Sequence, residues 1–469
     1  TAAATSAPAL PRRHGLKLPL LCFLVSATFG LTLALLHNFT WADTRITLAS
    51  EGKQYLLALQ QMVALLHSAD WSVVSAQGSV LAQLLLDSPL LNMLYVPVFL
   101  LSGQVPSAAD WPALCIGQSL VHACIAGLTT ILVGKATQNP FWAVGAGILF
   151  AAYPPALLQT GHFMPEAPAA LLIMVLIWAL SSLKRPVAGP LTAGLAAALL
   201  MIWQPLMIPV LVIALFFGCM QFTPRGKAFV YAIAAAFVVL LPWSIAVLAS
   251  SHSGALTNQR PADYRQAAAW NTESDGWSYG PPGQQADLNS QREGALPVAF
   301  AAWQNHPEEC LRLAACKVTR LLALPWNDFK NRAAGVDMSG QIFWHQVLLC
   351  AGLYGALYFI FCRYSKMKPS NRVAVELAMV LLIGHFTYLL IDTTARNAFT
   401  ATPLLMVLAF FGLASSGRNE PTKAPAERPR INAALSCLIA AMIVTSLIMH
   451  GEKLTRRDDA KICANYLTF

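Results

Sequence analysis

Charge is scarce in this sequence. Asp, Glu, Lys and Arg make up 11 % of its 469 residues, whereas a soluble globular domain carries about a quarter. That shortage excludes a water-facing surface over most of the chain. The ten cysteines are scattered, with no C-x-x-C pair and no metal-ligand spacing, which excludes a zinc finger or a dithiol redox motif. The net charge is +9, yet no basic block gathers on one soluble element, and nucleic-acid binding needs such a footprint. No repeat relates the two halves, which counts against an inverted-repeat transporter. The middles of the apolar runs carry almost no charge, so a proton- or ion-coupled transporter lacks its usual groups. His122 and His385 are lone histidines there and are read as structural; Glu376 lies near one end of its run.

Apolar length is what the chain has. Hydrophobic residues make up 56 % of it, and a helix needs roughly 20 of them to cross a ~30 Å hydrocarbon core. The runs are continuous rather than alternating, which predicts helices instead of a barrel. The expected fold is all-α, a polytopic transmembrane helix bundle of about 11 spans. They lie near 18–37, 112–133, 141–158, 167–183, 188–204, 206–221, 228–249, 342–362, 373–391, 397–414 and 431–449. The opening Arg12-Arg13-His14 and Lys17 resemble the start of a signal peptide, but no cleavage site follows, so an uncleaved first span is expected.

The segment 89–103 is apolar but short and holds Pro97. If it does not span, about half of the 31 Lys and Arg fall on the cytoplasmic side, as the positive-inside rule requires. It is therefore read as re-entrant or interfacial. Two large outer segments result, 38–111 and 250–341. The chain divides into an N-terminal membrane module (1–249), an outer, periplasmic loop region (250–341) and C-terminal membrane helices with a tail (342–469). The stretch 415–430 reads as a cytoplasmic linker. Cys310, Cys316 and Cys463 fall outside, where one disulfide is permitted. After His306-Pro307-Glu308-Glu309, Leu311, Ala314, Val318 and Leu321 recur at helical spacing, with Arg312, Lys317 and Arg320 between them. Such a basic amphipathic helix suits the headgroup level. Asn38-Phe39-Thr40 matches a glycosylation acceptor, but it abuts a span and is given no role.

Polar groups gather at the outer ends of the spans. Glu51 follows the first span and precedes Tyr55-Leu56, with Asp43 eight residues before it. Glu166 follows Gly161-His162-Phe163-Met164-Pro165 at the mouth between two spans, where a helix dipole favours a carboxylate.

The set resembles lipid-dependent membrane glycosyltransferases of the GT-C fold, the group of protein O-mannosyltransferases and the aminoarabinose transferase of lipid A (glycosyltransferase family 39). Its carriers are Glu51 to Leu56, Ser88-Pro89-Leu90, Tyr153-Pro154-Pro155 with Pro165-Glu166, Trp203-Gln204-Pro205, Leu241-Pro242-Trp243, and Arg396 ahead of Thr402-Pro403-Leu404. The resemblance implies that Glu51 stands where relatives have an aspartate base, with Asp43 as the alternative base. It assigns Glu166 and Arg396 to the donor, with His162, Tyr55 and Gln204 beside them. Gln204 stands where relatives often have an arginine.

Chemistry agrees with that assignment. A polyprenyl phosphate leaves readily, so one carboxylate base suffices, unlike the paired acids of a glycosidase. Charge growing on the departing phosphate needs a cation such as Arg396. The expected activity is inverting transfer of a sugar from a polyprenyl-phosphate donor to a lipid, glycan or protein acceptor. The expected place is the periplasmic face of a bacterial inner membrane. A polysaccharide polymerase or ligase relying on outer arginines is the alternative, and a transporter a weaker one. No cofactor is assigned; a divalent metal is the one candidate, should Glu51, Glu166 and His162 meet.

Overall fold

A computed structural model describes residues 17–41, 51–67, 89–183, 185–251, 300, 303–323, 339–364, 367–390 and 399–416. Every regular element among these residues is helical. The first described helix is α1 (Lys17–Leu36), which widens into a π-helical turn at His37–Trp41, followed by α2 (Glu51–His67) and α3 (Pro89–Ser102). Next come α4 (Trp111–Thr137), α5 (Pro140–Ala152), α6 (Pro154–Thr160), α7 (Glu166–Ser181) and α8 (Ala188–Trp203). A 3-10 turn at Pro205–Met207 leads into α9 (Ile208–Cys219) and α10 (Arg225–Ser251). The rest comprises α11 (Pro307–Ala323), α12 (Ser339–Tyr358), α13 (Pro369–Gly384), a 3-10 turn at His385–Leu390, and α14 (Thr402–Ser416).

Proline and polar caps punctuate the bundle. Pro112 opens α4, and Gln138 ends it in the left-handed conformation, φ 55°. Asn139 then caps α5 by accepting from the Phe141 amide, with Pro140 in the first turn. Five described helices are long and apolar enough to cross a membrane, six if the bent pair α5–α6 counts as one. The chain is thus an integral membrane protein. Of the other expected spans, α7, α8 and the Pro205–Cys219 segment are shorter apolar helices. The helix α3 has 14 residues, about 21 Å, and belongs with the shorter apolar helices.

The helices α4 and α14 form the centre, with 72 % and 83 % of their apolar windows buried; α1 and α10 form the rim, at 22 % and 28 %. Small residues let backbones approach, which is how helices associate in lipid. A Cβ on Gly355 of α12 would overlap the Leu408 carbonyl of α14, and one on Gly147 of α5 would strike the Thr130 and Ser26 hydroxyls. Those two hydroxyls bond each other at 2.7 Å between α1 and α4.

The amphipathic helix is present as α11, but its inward face differs from the expected one. Cys310, Leu313, Cys316, Lys317 and Leu321 are buried, whereas Leu311 is 59 % exposed. Lys317, expected on the polar face, is completely buried and is not without a partner. The inward stripe runs at i, i+3, i+6/7 and i+11, and the long lysine stem can follow it. Cys316 is disulfide-bonded, while Cys310 is a free buried thiol. Burial, helped by Glu309, holds the Cys310 pKa above its ordinary value. The expected span 431–449, nearly all of the 415–430 linker, Asp43, Arg396 and Cys463 lie outside the described residues.

Candidate functional site

Polar side chains collect where α1 ends, α4 begins and α6 meets α7. Asn38 is 1 % exposed. Its amide nitrogen donates to the Ser119 hydroxyl of α4 at 3.1 Å and to the Thr160 carbonyl of α6 at 3.4 Å. The Thr160 hydroxyl returns a bond to Asn38 Oδ1 at 3.3 Å. Burial thus closes Asn38 to glycosylation and makes it the tie between three elements.

The bend between α5 and α6 measures 57° and follows from its sequence. Pro154 and Pro155 have no N–H, so the Phe150 and Ala151 carbonyls lose their i+4 donors. The Tyr153 amide takes the Phe150 carbonyl at 3.1 Å. His122 of α4 supplies the other bond, Nε2 to the Ala151 carbonyl at 3.1 Å, and its ring stacks on Phe150. A carbonyl only accepts, so Nε2 carries the proton. The structural reading of His122 holds, with a specific task attached. The Tyr153 hydroxyl donates to His345 Nδ1 of α12 at 2.6 Å, and His345 Nε2–H donates to the Leu322 carbonyl of α11 at 2.8 Å. The bend is thereby tied to the amphipathic helix.

Beyond α6 the chain turns through 161–165. His162 Nδ1–H donates to the Leu158 carbonyl at 2.7 Å. Burial lowers the His162 pKa below its ordinary value, against the opposing pull of that carbonyl, so the ring is neutral. Gln118 donates to the Met164 carbonyl at 3.2 Å. Glu166 then opens α7 and is 3 % exposed. A carboxylate so buried needs compensation; the positive end of the α7 dipole supplies part of it, and Glu166 is not without a partner.

Glu51 is the first residue of α2. That helix packs through Leu56, Leu59, Met62 and Val63 into a cluster holding Leu91, Tyr95 and Phe163, with Tyr55 half-buried against it. The Tyr95 and Phe163 rings meet edge to face at 5.2 Å. The helix that Glu51 begins and the loop that leads to Glu166 therefore share one apolar anchor. Gln204 closes α8 with its amide nitrogen buried and without a hydrogen-bond partner. Next to it Trp203 and Leu206 pack with Tyr388 and with Leu321 of α11. His385 bonds the Leu381 carbonyl and the Thr400 hydroxyl, both at 2.7 Å. That second bond holds together the two ends flanking the segment that contains Arg396.

Glu166, His162, Tyr55 and Gln204 thus lie at one end of the bundle, together with the start of Glu51's helix. Asn38, Trp111, Gln118, Tyr153 and His345 were not singled out as site residues. The polar stripe Gln118, Ser119 and His122 in the first half of an otherwise apolar helix was the signal available. Among the described residues, no three His, Cys, Asp or Glu side chains are placed to hold a metal ion.

No protein-family model matches the chain, and no curated protein matches it. Solved structures of the Archaeoglobus fulgidus oligosaccharyltransferase show a limited likeness. One, tethered to an acceptor peptide containing the NVT sequon through a disulfide bond, aligns with 97 % of this chain and 59 % of its own, at 14 % identity and TM-score 0.48. The apo form aligns with 95 % and 57 %, at 14 % identity and TM-score 0.47. This chain therefore spans under two thirds of that protein's length.

Proposed function

We propose that this chain is a GT-C-type membrane glycosyltransferase that moves a sugar, with inversion, from a polyprenyl-phosphate donor to an acceptor on the outer face of the membrane. The observation that carries the proposal is the buried carboxylate of Glu166 at a helix start, in a polar cluster at one end of an apolar bundle. The helix opened by Glu51 docks on the same loop. Glu51 is the base in this proposal. It takes the proton of the acceptor hydroxyl as that oxygen bonds to the sugar's anomeric carbon. The bond from that carbon to the phosphate oxygen breaks, and polyprenyl phosphate leaves with the electron pair. Arg396 neutralises the leaving phosphate, which needs no proton from an acid. The Cys316 disulfide supports an outer location for α11, because disulfides persist in oxidising compartments.

The test is transfer of labelled sugar from polyprenyl-phosphate hexoses by the purified protein. Glu51→Gln should lower the rate by about 10²–10⁴-fold, the range for a general base, with membrane insertion unchanged. Normal turnover by that variant would remove Glu51 from the role and direct the same substitution to Asp43.

A further inference from the structure

Beside the Glu166 loop lies a small cavity of about 10 Å³ lined by Trp111, Leu114, Cys115, Gln118, Thr160, Gly161, His162 and Phe163. That volume admits about one water-sized group. Two of its lining residues carry buried polar atoms with no hydrogen-bond partner, Trp111 Nε1 and Gln118 Oε1. Gln118 is 1 % exposed, and its orientation is determined: the Met164 carbonyl can only accept, so Nε2 faces it at 3.2 Å and Oε1 is left over. An indole N–H is a donor only and an amide oxygen an acceptor only. Their combination selects the ligand group. A carboxylate would oppose Gln118 Oε1, and an ammonium would oppose the Trp111 N–H. A hydroxyl satisfies both, accepting from Trp111 and donating to Gln118. Leaving either atom desolvated and unpaired is costly.

Resting on the glycosyltransferase reading, we infer that Trp111 and Gln118 form a subsite for one hydroxyl of a sugar. The apolar wall is supplied by Leu114, Phe163 and the Trp111 ring, which the half-exposed Phe39 meets edge to face at 5.6 Å. The sugar arrives either on the lipid-linked donor or as part of a glycan acceptor; the hydroxyl chemistry is common to both.

Equilibrium binding to the purified full chain, in a detergent without sugar headgroups, tests the subsite. The probes are polyprenyl-phosphate hexoses, methyl hexosides and polyprenyl phosphate alone. Trp111→Phe keeps an aromatic ring and deletes the donor; Gln118→Met deletes the acceptor together with the Nε2 bond to the Met164 carbonyl, so its binding counts only where its melting equals that of wild type. Each should weaken binding of a sugar-bearing probe by about three- to tenfold, the worth of one neutral hydrogen bond, with polyprenyl phosphate unaffected. Loss confined to the lipid-linked hexoses assigns the hydroxyl to the donor, and loss confined to the methyl hexosides assigns it to the acceptor. Equal affinities in wild type and both variants, with unchanged melting, overturn the subsite and leave it to a resident water, while the glycosyltransferase reading stands. An equal loss for polyprenyl phosphate also overturns it. A wild-type chain that binds no sugar probe overturns both.

Discussion

At the scale of residues, the polar side chains of this protein serve the interruptions in its helices. His122 replaces a backbone donor that Pro155 lacks, so His122→Ala strands the Ala151 carbonyl in an apolar interior. The expected cost is about 1–3 kcal/mol for the unpaired group, read as a lower thermal midpoint. His122→Gln, which can still donate, should recover part of the loss; no recovery would mean that packing on Phe150 is all the ring provides. His162 has a pH signature. Its pKa in the fold is below the ordinary value of 6.5, so the unfolded chain binds more protons below that pH. Its stabilising share is present above pH 6.5 and is lost as pH falls below it. Melting curves from pH 8 to 5 should therefore decline less steeply in His162→Gln than in the wild type. Parallel curves would dissociate His162 from acid sensitivity. Glu166→Gln should cut sugar transfer by at least tenfold, and an unchanged rate would make Glu166 a helix-start residue alone.

At the scale of elements, much was legible and some was not. Continuous apolar runs gave helix positions close to those observed, because burial in lipid leaves the backbone no other open-chain choice. The 57° break was not anticipated within 141–158, although Pro154 and Pro155 were in plain view; a span-length window averages over them. The inward face of α11 differs from the one that apolar spacing predicts, because the docked stripe uses the lysine stem and the cysteines and leaves Leu311 outside. The seam of α12 and α14 was also not foreseen, since glycine spacing acquires meaning only when the partner helix is known. Gly355→Ala forces the Leu408 carbonyl away, and overpacking of this kind costs about 1–3 kcal/mol. A thermal midpoint equal to that of wild type would show that the seam relaxes without cost.

At the scale of the whole molecule, the arrangement predicts one accessible side for everything proposed to act. Single cysteines replacing Lys53 and the exposed Gln104 ahead of α4 should react with a membrane-impermeant maleimide added from the same face, and labelling from opposite faces would end the proposal. That Glu166 and Glu51's helix converge through Phe163 could not be read from spacing, because over 100 residues separate them. The short segments carry a consequence for the surrounding lipid. Upright, the 16 residues of α7 and of α8 reach about 24 Å, and the bent pair gains little height from its tilted part. Phe141 and Leu149 of α5 and Leu195 of α8 are nonetheless exposed. A bilayer that meets the exposed residues of these short helices must thin by several ångströms, at a cost that rises with acyl-chain length. The protein should therefore turn over fastest in vesicles of short-chain phospholipid and slow steadily as the chains lengthen.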